Sequence, residues 1–392
     1  MEQGSQSVFR QTVVGEFTYP VVFTNGTFQG QCELWQLLHH LGKTTAKLQI
    51  FVDDGLAKSN QGLLAIIRDW GVSHGLQLGD VKVLAGGEVG KEGLINPTRV
   101  IETLVSRQMD RHDLVVAIGG GAFLDGVGLG AGLFHRGIGL IRMPTTVLSQ
   151  NDAGIGVKNG VNFLGQKNCL GMFKAPLGVI NDSSFLASLP LDIKREGLSE
   201  AIKVALLKSP YFFDWLFQNR FLLGKFHKKT VEYMIRETAR LHLEHIQGGG
   251  DPFEEGRQRP LDFGHWFAHR LEILSDHRVS HGAGVASGLW LDLSYSVAVL
   301  GLDPMVLAAY EAILAAVGLQ KWQPHWLVDH VPVSRLLEGI EQFRQHIGGP
   351  LALPMLTEVG QVVSLDKVDM GVMATLLSSL ICNAETGAGH YH

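Results

Sequence analysis

The stretch Leu114-Val-Val-Ala-Ile-Gly119-Gly120-Gly121-Ala-Phe-Leu-Asp125 decides the fold. The apolar run 114–118 reads as a buried strand, the three glycines as a turn, and the small residues beyond as a helix. Glycines there let the backbone approach a pyrophosphate at a helix N-terminus, or simply relieve a crowded strand–helix turn. The spacing is not GxGxxG. Working outward, 47–52 reads as a strand ending at Asp53-Asp54-Gly55. Residues 81–84 form another, ending at Gly86-Gly87-Glu88. Asn96-Pro97 opens a helix to about 108, and 138–143 is a strand stopped by Pro144. This alternation predicts an α/β, Rossmann-like, doubly wound parallel sheet over residues 1–178. Asp53, at a strand end, suits either a ribose hydroxyl or a turn or helix cap.

Beyond about 182 the glycines thin out and apolar residues recur at three and four. Helices are expected at 193–207, 210–223, 230–244, 263–274, 282–300 and 304–317, with more towards the C-terminus. Residues 179–392 therefore read as a mostly α-helical, metal-binding domain. Residues 247–259 read as a loop, and 387–392 as a frayed end in which His390 and His392 need no role.

The 392 residues are enough for two domains, at 45% apolar, 18% charged and net charge −5. That balance gives no reason to expect nucleic acid or a membrane surface as partner. Cys32, Cys169 and Cys382 form no CxxC pair, which fits a reducing compartment. The first dozen residues are polar, with no apolar signal core. No run of about 18 apolar residues suggests a membrane span, and the cytoplasm is the expected location.

The chemistry concentrates in three short contexts: Gly197-Leu-Ser-Glu200-Ala-Ile-Lys203, Asp262-Phe-Gly-His265-Trp-Phe-Ala-His269 and Val279-Ser-His281-Gly. One carboxylate and two imidazoles leave coordination positions open, which suits a catalytic divalent metal. Lys203 and His269 share helical faces with Glu200 and His265. Most of the 17 histidines are ordinary core or surface residues, and that reading also applies to these. Met143-Pro-Thr145-Thr146 ends a strand at the edge where such sheets bind ligands. The polar run after it carries Asp152, Lys158, Lys167 and Asn168, which suit a sugar phosphate; solvated surface lysines are the alternative.

In order and spacing these segments resemble the sugar phosphate cyclases, of which 3-dehydroquinate synthase is the best-known member. The matching positions run from Asp53 to Leu300, through Gly119–Asp125, Phe134-His-Arg136-Gly137, Pro144–Asp152, Gly156-Val-Lys158, Gln166-Lys167-Asn168, Ser199–Lys203, Asp262–Glu272 and His281-Gly-Ala, with a weaker echo at Leu365-Asp366-Lys367. The resemblance implies that Glu200, His265 and His281 ligate zinc or cobalt. It implies NAD contacts for Asp53, Glu88, Lys91, Gly119, Gly120, Gly121, Asp125, Thr145 and Thr146. It places Asp152, Lys158, Lys203 and His269 in catalysis and Lys167, Asn168 and Lys367 on the substrate. It also implies a homodimer in which Arg136 reaches the neighbour's phosphate. The implied reaction is transient oxidation by NAD, phosphate elimination, re-reduction, ring opening and an aldol closure. Beside a metal, Lys203 would have a depressed pKa.

Several positions depart from dehydroquinate synthase. Counting back from His265, the family's Asn is Asp262, its Arg is Gln258 and its Lys is Glu244; its HGE is His281-Gly282-Ala283. Two cations lost and two carboxylates gained disfavour a carboxylate-bearing substrate. The reading is therefore a divergent branch acting on a heptulose phosphate without a carboxylate, such as sedoheptulose 7-phosphate. A one-residue shift would bring Arg257 or Arg259 into the missing cation's place. The alternatives are 3-dehydroquinate synthase proper, acting on 3-deoxy-arabino-heptulosonate 7-phosphate, an NAD-dependent polyol dehydrogenase, or a scaffold that kept the fold. The Asp262-Phe-Gly-His265-Trp266 segment resembles the EboD-like cyclases.

Overall fold

The structure, a computed structural model, describes residues 15–30, 32–248, 256, 258–327 and 331–387, with only the backbone for 383–387. Of the loop expected at 247–259, residues 249–255 and Arg257 lie outside the described residues and 247–248 continue the preceding helix; the chain end with His390 and His392 also lies outside them.

A parallel sheet forms the N-terminal half. Its order is Val21–Thr24, Gly178–Asp182, Gly139–Pro144, Leu114–Gly119 and Lys47–Asp53, with Gln77–Leu78 and Lys82–Leu84 both pairing with Lys47–Asp53. Side chains alternate across each strand. Ile50, Val52, Val116 and Ile118 pack under Leu34, Ile67 and Trp70 on one face. Phe51, Val115 and Ala117 pack under Val100, Leu124 and Val127 on the other. Both faces are covered, which is why these strands are largely apolar. The sheet runs past 178, because Gly178–Asp182 is one of its inner strands.

The sequence reading missed a polar hairpin, Lys158–Phe163 with Gln166–Phe173. It turns through Leu164 and Gly165, at φ 51° and 73°. Leucine is an uncommon residue for a turn with two positive φ angles, so the usual Asn-Gly signal was absent. A second hairpin, Leu353–Glu358 with Gln361–Leu365, interrupts the helices expected near the C-terminus.

The helical half is built around Leu191–Lys208, which contacts the helices Pro210–Gly224, Lys228–Gly248 and His281–Tyr295. Pro304–Val317 has the expected bounds. The helix expected at 263–274 begins later, at His265, because Gly264 (φ 79°) ends a short 3-10 turn, Pro260–Asp262. The helix expected at 282–300 is His281–Tyr295 continued by a π turn, Ser296–Leu300. Contrary to expectation, His281–Leu300 is long and apolar enough to pass for a membrane span, with mean hydropathy 1.4. It is 72% buried inside the protein, as befits a core helix that is apolar all round.

Candidate active site

Three helices deliver the candidate metal ligands. Glu200 lies within Leu191–Lys208, while His265 and His281 are the first residues of their own helices. Glu200 Oε1 is 3.5 Å from His265 Nε2 and 3.4 Å from His281 Nε2. One donor atom from each of the three lies within 4.8 Å of the others. Two close approaches set this up. A Cβ at Gly288 would sit 1.8 Å from the Gly264 carbonyl oxygen, so only glycine lets the His281 helix press on the Gly264 turn. Asp292, three turns after His281, accepts hydrogen bonds from Gly264 N (2.7 Å) and Trp266 Nε1 (2.8 Å). The turn that launches His265 is therefore tied to the helix that carries His281.

The imidazoles are oriented through their second nitrogens, as metal-ligating histidines usually are. His265 Nδ1 lies 3.1 Å from the Phe263 carbonyl, and His281 Nδ1 lies 3.4 Å from Glu272 Oε1. Glu272 is itself held by Lys167 Nζ at 2.6 Å. Burial raises the pKa of Glu200, but Lys203 and the two imidazoles outweigh it and hold the carboxyl well below its usual range. Burial lowers the pKa of His281, but Glu200 and Glu272 lift it to about 10. Glu272 is likewise depressed against its burial, by His281 and Lys167. Two buried carboxylates thus demand positive charge at one point. His269, on the same helical face, is neutral: burial and the neighbouring His265 and His281 push its pKa well down.

Lys203 Nζ touches Glu200 Oε2 and is 3.6 Å from Asp152 Oδ2. Without a metal, burial lowers the pKa of Lys203, but Glu200 and Asp152 outweigh burial and raise it. Glu200 Oε2 makes this ion contact without an aligned hydrogen bond. Asp262 is half-buried and its charge also acts on Lys203.

The sheet's carboxyl edge gathers the other candidates. Thr145 N bonds the Gly119 carbonyl, and Thr146 and Ser149 share a hydroxyl network at the next turn. A Cβ at Gly119 would meet Phe123 and Asp53, whereas Gly120 has nothing nearer than Thr146 at 3.4 Å and Gly121 backs onto Ala153. Asp53 caps the helix Asp54–Ser59 through Gly55 N and Leu56 N. Lys91 and Asp125 bond each other at 2.7 Å, and Glu88 is half-exposed near Asn162 and Lys167. On the hairpin, Lys158 is exposed beyond Asp152, and Asn168 (φ 51°) is exposed with its backbone N on Asn162. Lys367 is exposed after the second hairpin, and Arg136 is exposed at a turn with φ 64°.

Of the substrate candidates, Glu244 faces outward, exposed and paired with Arg240 at 2.5 Å, and Gln258 is exposed. Counting back from His265 assumed a fixed loop length, and the helix face settles the matter instead. The residue of that helix that meets Asp152 is His242, at 3.6 Å and buried. Arg259 reaches His346 of the helix Val333–Ile347. Four contributors went unassigned in the sequence reading. Glu272 follows His269 by three residues on the ligand face, Asp292 is the lone charge in an apolar helix, and Arg142 is the lone charge in an inner strand. All three were visible as anomalies. Buried Arg142 ties together the carbonyls of Gly156 and Lys158 and the side chain of Asn159. His242 carried no such signal.

Residues 81–196 match the 3-dehydroquinate synthase N-terminal family, and 197–342 match its C-terminal counterpart. The chain belongs to the 3-dehydroquinate synthase family. It is an enzyme of the sugar phosphate cyclase kind, in agreement with the resemblance read from its motifs. A 3-dehydroquinate synthase of Halorhodospira halophila is 31% identical over 352 residues, covering 89% of this chain and 93% of that one. One from Solibacter usitatus is 31% identical over 73% of this chain and 78% of its own length. Among solved structures, the 2-epi-5-epi-valiolone synthase of Streptomyces hygroscopicus subsp. jinggangensis, with NAD+ and Zn2+ bound, superposes at TM-score 0.85. It shares 24% identity over 96% of this chain and all of its own. A 2-deoxy-scyllo-inosose synthase, complexed with carbaglucose-6-phosphate, NAD+ and Co2+, follows at 0.69, with 18% identity over 93% and 96%. At such identities the likeness establishes the shared fold.

Proposed function

We propose that this enzyme converts a heptulose phosphate without a carboxylate, such as sedoheptulose 7-phosphate, into a carbocycle with loss of phosphate, using NAD and a divalent metal. The observation that carries the reading is the trio Glu200, His265 and His281 with Lys203 and Asp152 beside it. The donor set fits zinc or cobalt: three ligand atoms converge, both imidazoles are oriented through Nδ1, and Glu200 is 1% exposed. When bound, the metal acidifies adjacent hydroxyls and polarises a ketone, and NAD accepts and returns a hydride.

The chain's own residues supply the rest. Lys203 and Asp152 hold a proton and its acceptor beside the trio, and neutral His269, whose ring neighbours those of His265 and His281, offers a second acceptor. Lys158 and Asn168 are proposed to meet the phosphate, with an Arg136 lent by the second protomer of a proposed homodimer; all three side chains are exposed. Lys167, paired with Glu272, and the exposed Lys367 are proposed as further substrate contacts. Gly119, Gly120 and Gly121, with Asp53, Glu88, Lys91, Asp125, Thr145 and Thr146, form the proposed NAD wall, where Gly120 is the open approach. Cys32 is buried, Cys169 and Cys382 are exposed, and among the described residues none of the three is in a disulfide, which is consistent with the proposed cytoplasmic compartment. With Glu244 turned outward to Arg240, the case against a carboxylate-bearing substrate rests on Asp262, on His242 and on the absence of an arginine at Gln258.

The 3-dehydroquinate synthase reading is the second one, favoured by the named activity of the relatives above 30% identity. The test is a phosphate-release screen of sugar phosphates with NAD and Zn2+ or Co2+, with Glu200→Ala as control. Phosphate release without net NADH is expected, and net NADH would mark a polyol dehydrogenase. Full activity in Glu200→Ala would overturn the metal assignment, and robust release from the heptulosonate would overturn the carboxylate argument.

A further inference from the structure

One buried imidazole beside Asp152 has a nitrogen that the reaction as described so far leaves unused. His242 is 7% exposed, on the helix Lys228–Gly248, whose inner face packs on the turn Ser149–Ala153. Its Nε2 is 3.6 Å from Asp152 Oδ1, and Asp152 in turn is 3.6 Å from Lys203. A continuous series of contacts therefore runs from Glu200 through Lys203 and Asp152 to His242. Its other nitrogen, Nδ1, is buried and has no hydrogen-bond partner among the described residues. Buried polar atoms are normally paired, and an orphan at a site often marks the place of a ligand.

We infer that His242 reads the substrate, accepting at Nδ1 a hydrogen bond from an uncharged hydroxyl and selecting against a carboxylate at that position. The inference rests on the sugar phosphate reading above. Its chemistry follows from the tautomer. A carboxylate faces Nε2, so Nε2 carries the proton and Nδ1 is left as an acceptor. An acceptor is satisfied by an O–H. It gains nothing from an ionised carboxylate, which has no proton to give and which would also face Asp152. Burial lowers the pKa of the imidazole, and the Lys203 and Lys158 charges oppose the pull of Asp152, so the ring stays neutral and supplies no cation. The neighbouring Glu244 takes no part, since it points outward to Arg240.

The experiment compares wild type, His242→Ala, His242→Gln and His242→Lys, each loaded with NAD and Zn2+, on sedoheptulose 7-phosphate and on 3-deoxy-arabino-heptulosonate 7-phosphate. Selectivity is the ratio of kcat/KM for phosphate release. If wild type releases no phosphate, the ratio of calorimetric dissociation constants is used, so failure of the cyclase reading is recorded separately. Loss of one hydrogen bond should cost His242→Ala about tenfold on the hydroxyl-bearing sugar and leave the heptulosonate nearly unchanged. His242→Lys should swing the ratio by at least about tenfold towards the heptulosonate. His242→Gln keeps an acceptor and should hold the wild-type ratio, and it separates this role from mere packing. Equal losses on both sugars, or a ratio that does not move in His242→Ala and His242→Lys, would overturn the inference.

Discussion

Replacing Asp292 by Asn should change the pH dependence of stability in a calculable way. The carboxyl is fully buried and accepts from Gly264 N and Trp266 Nε1. Burial outweighs those two bonds and raises its pKa to about 7. Between the unfolded value and about 7 the native state therefore holds a proton that the unfolded chain has lost. The sign follows: stability from this group is fully present below the unfolded pKa and is lost as pH rises through the folded one. Asn has the same shape, does not titrate, and can serve only one of the two donors. At pH 8 the variant should thus cost about 1–3 kcal/mol for the unpaired donor, less the relief from burying no charge. From pH 8 to pH 5 wild type should gain about 2–3 kcal/mol over the variant, at about 1.4 kcal/mol per unit below the folded pKa. Carboxylates with depressed pKa values, such as Glu200 and Glu272, pull the other way, but they are common to both proteins and cancel in the difference. The assay is urea unfolding of the chelator-treated proteins at pH 5, 6, 7 and 8, with refolding checked at each pH. A wild-type minus variant difference that stays flat across that range would refute the reasoning, because the carboxyl would then titrate as an ordinary aspartate.

Two other substitutions probe the same scaffold. Glu272→Gln removes the carboxylate behind His281 Nδ1 and should weaken Zn2+ binding by about 10- to 100-fold in chelator competition; unchanged affinity would show that Glu272 does not support the ligand. Gly288→Ala drives a methyl into the Gly264 carbonyl and should cost about 3 kcal/mol or more in the urea midpoint, together with metal binding; a normal midpoint would show that the helix crossing has slack.

The sequence by itself determined the α/β sheet, most of the helices, and the residues that meet at the candidate metal centre. It could do so because strands buried on both faces are continuously apolar, and because Glu200, His265 and His281 sit in short motifs whose order is distinctive. It failed where conformation departs from residue preference. The Lys158–Phe163 hairpin turns through a leucine at positive φ, and its strands are too polar and glycine-rich to stand out. It failed again where a count had to cross a loop. Glu244 is reached by spacing, yet a helix has one inward face, and only the packing of Lys228–Gly248 on the Ser149–Ala153 turn decides that His242 occupies it. The protonation of Lys203 is likewise a tertiary property. It depends on Glu200 one turn away on the same helix, which the sequence shows. It depends equally on Asp152 from another segment and on burial, which only the fold supplies.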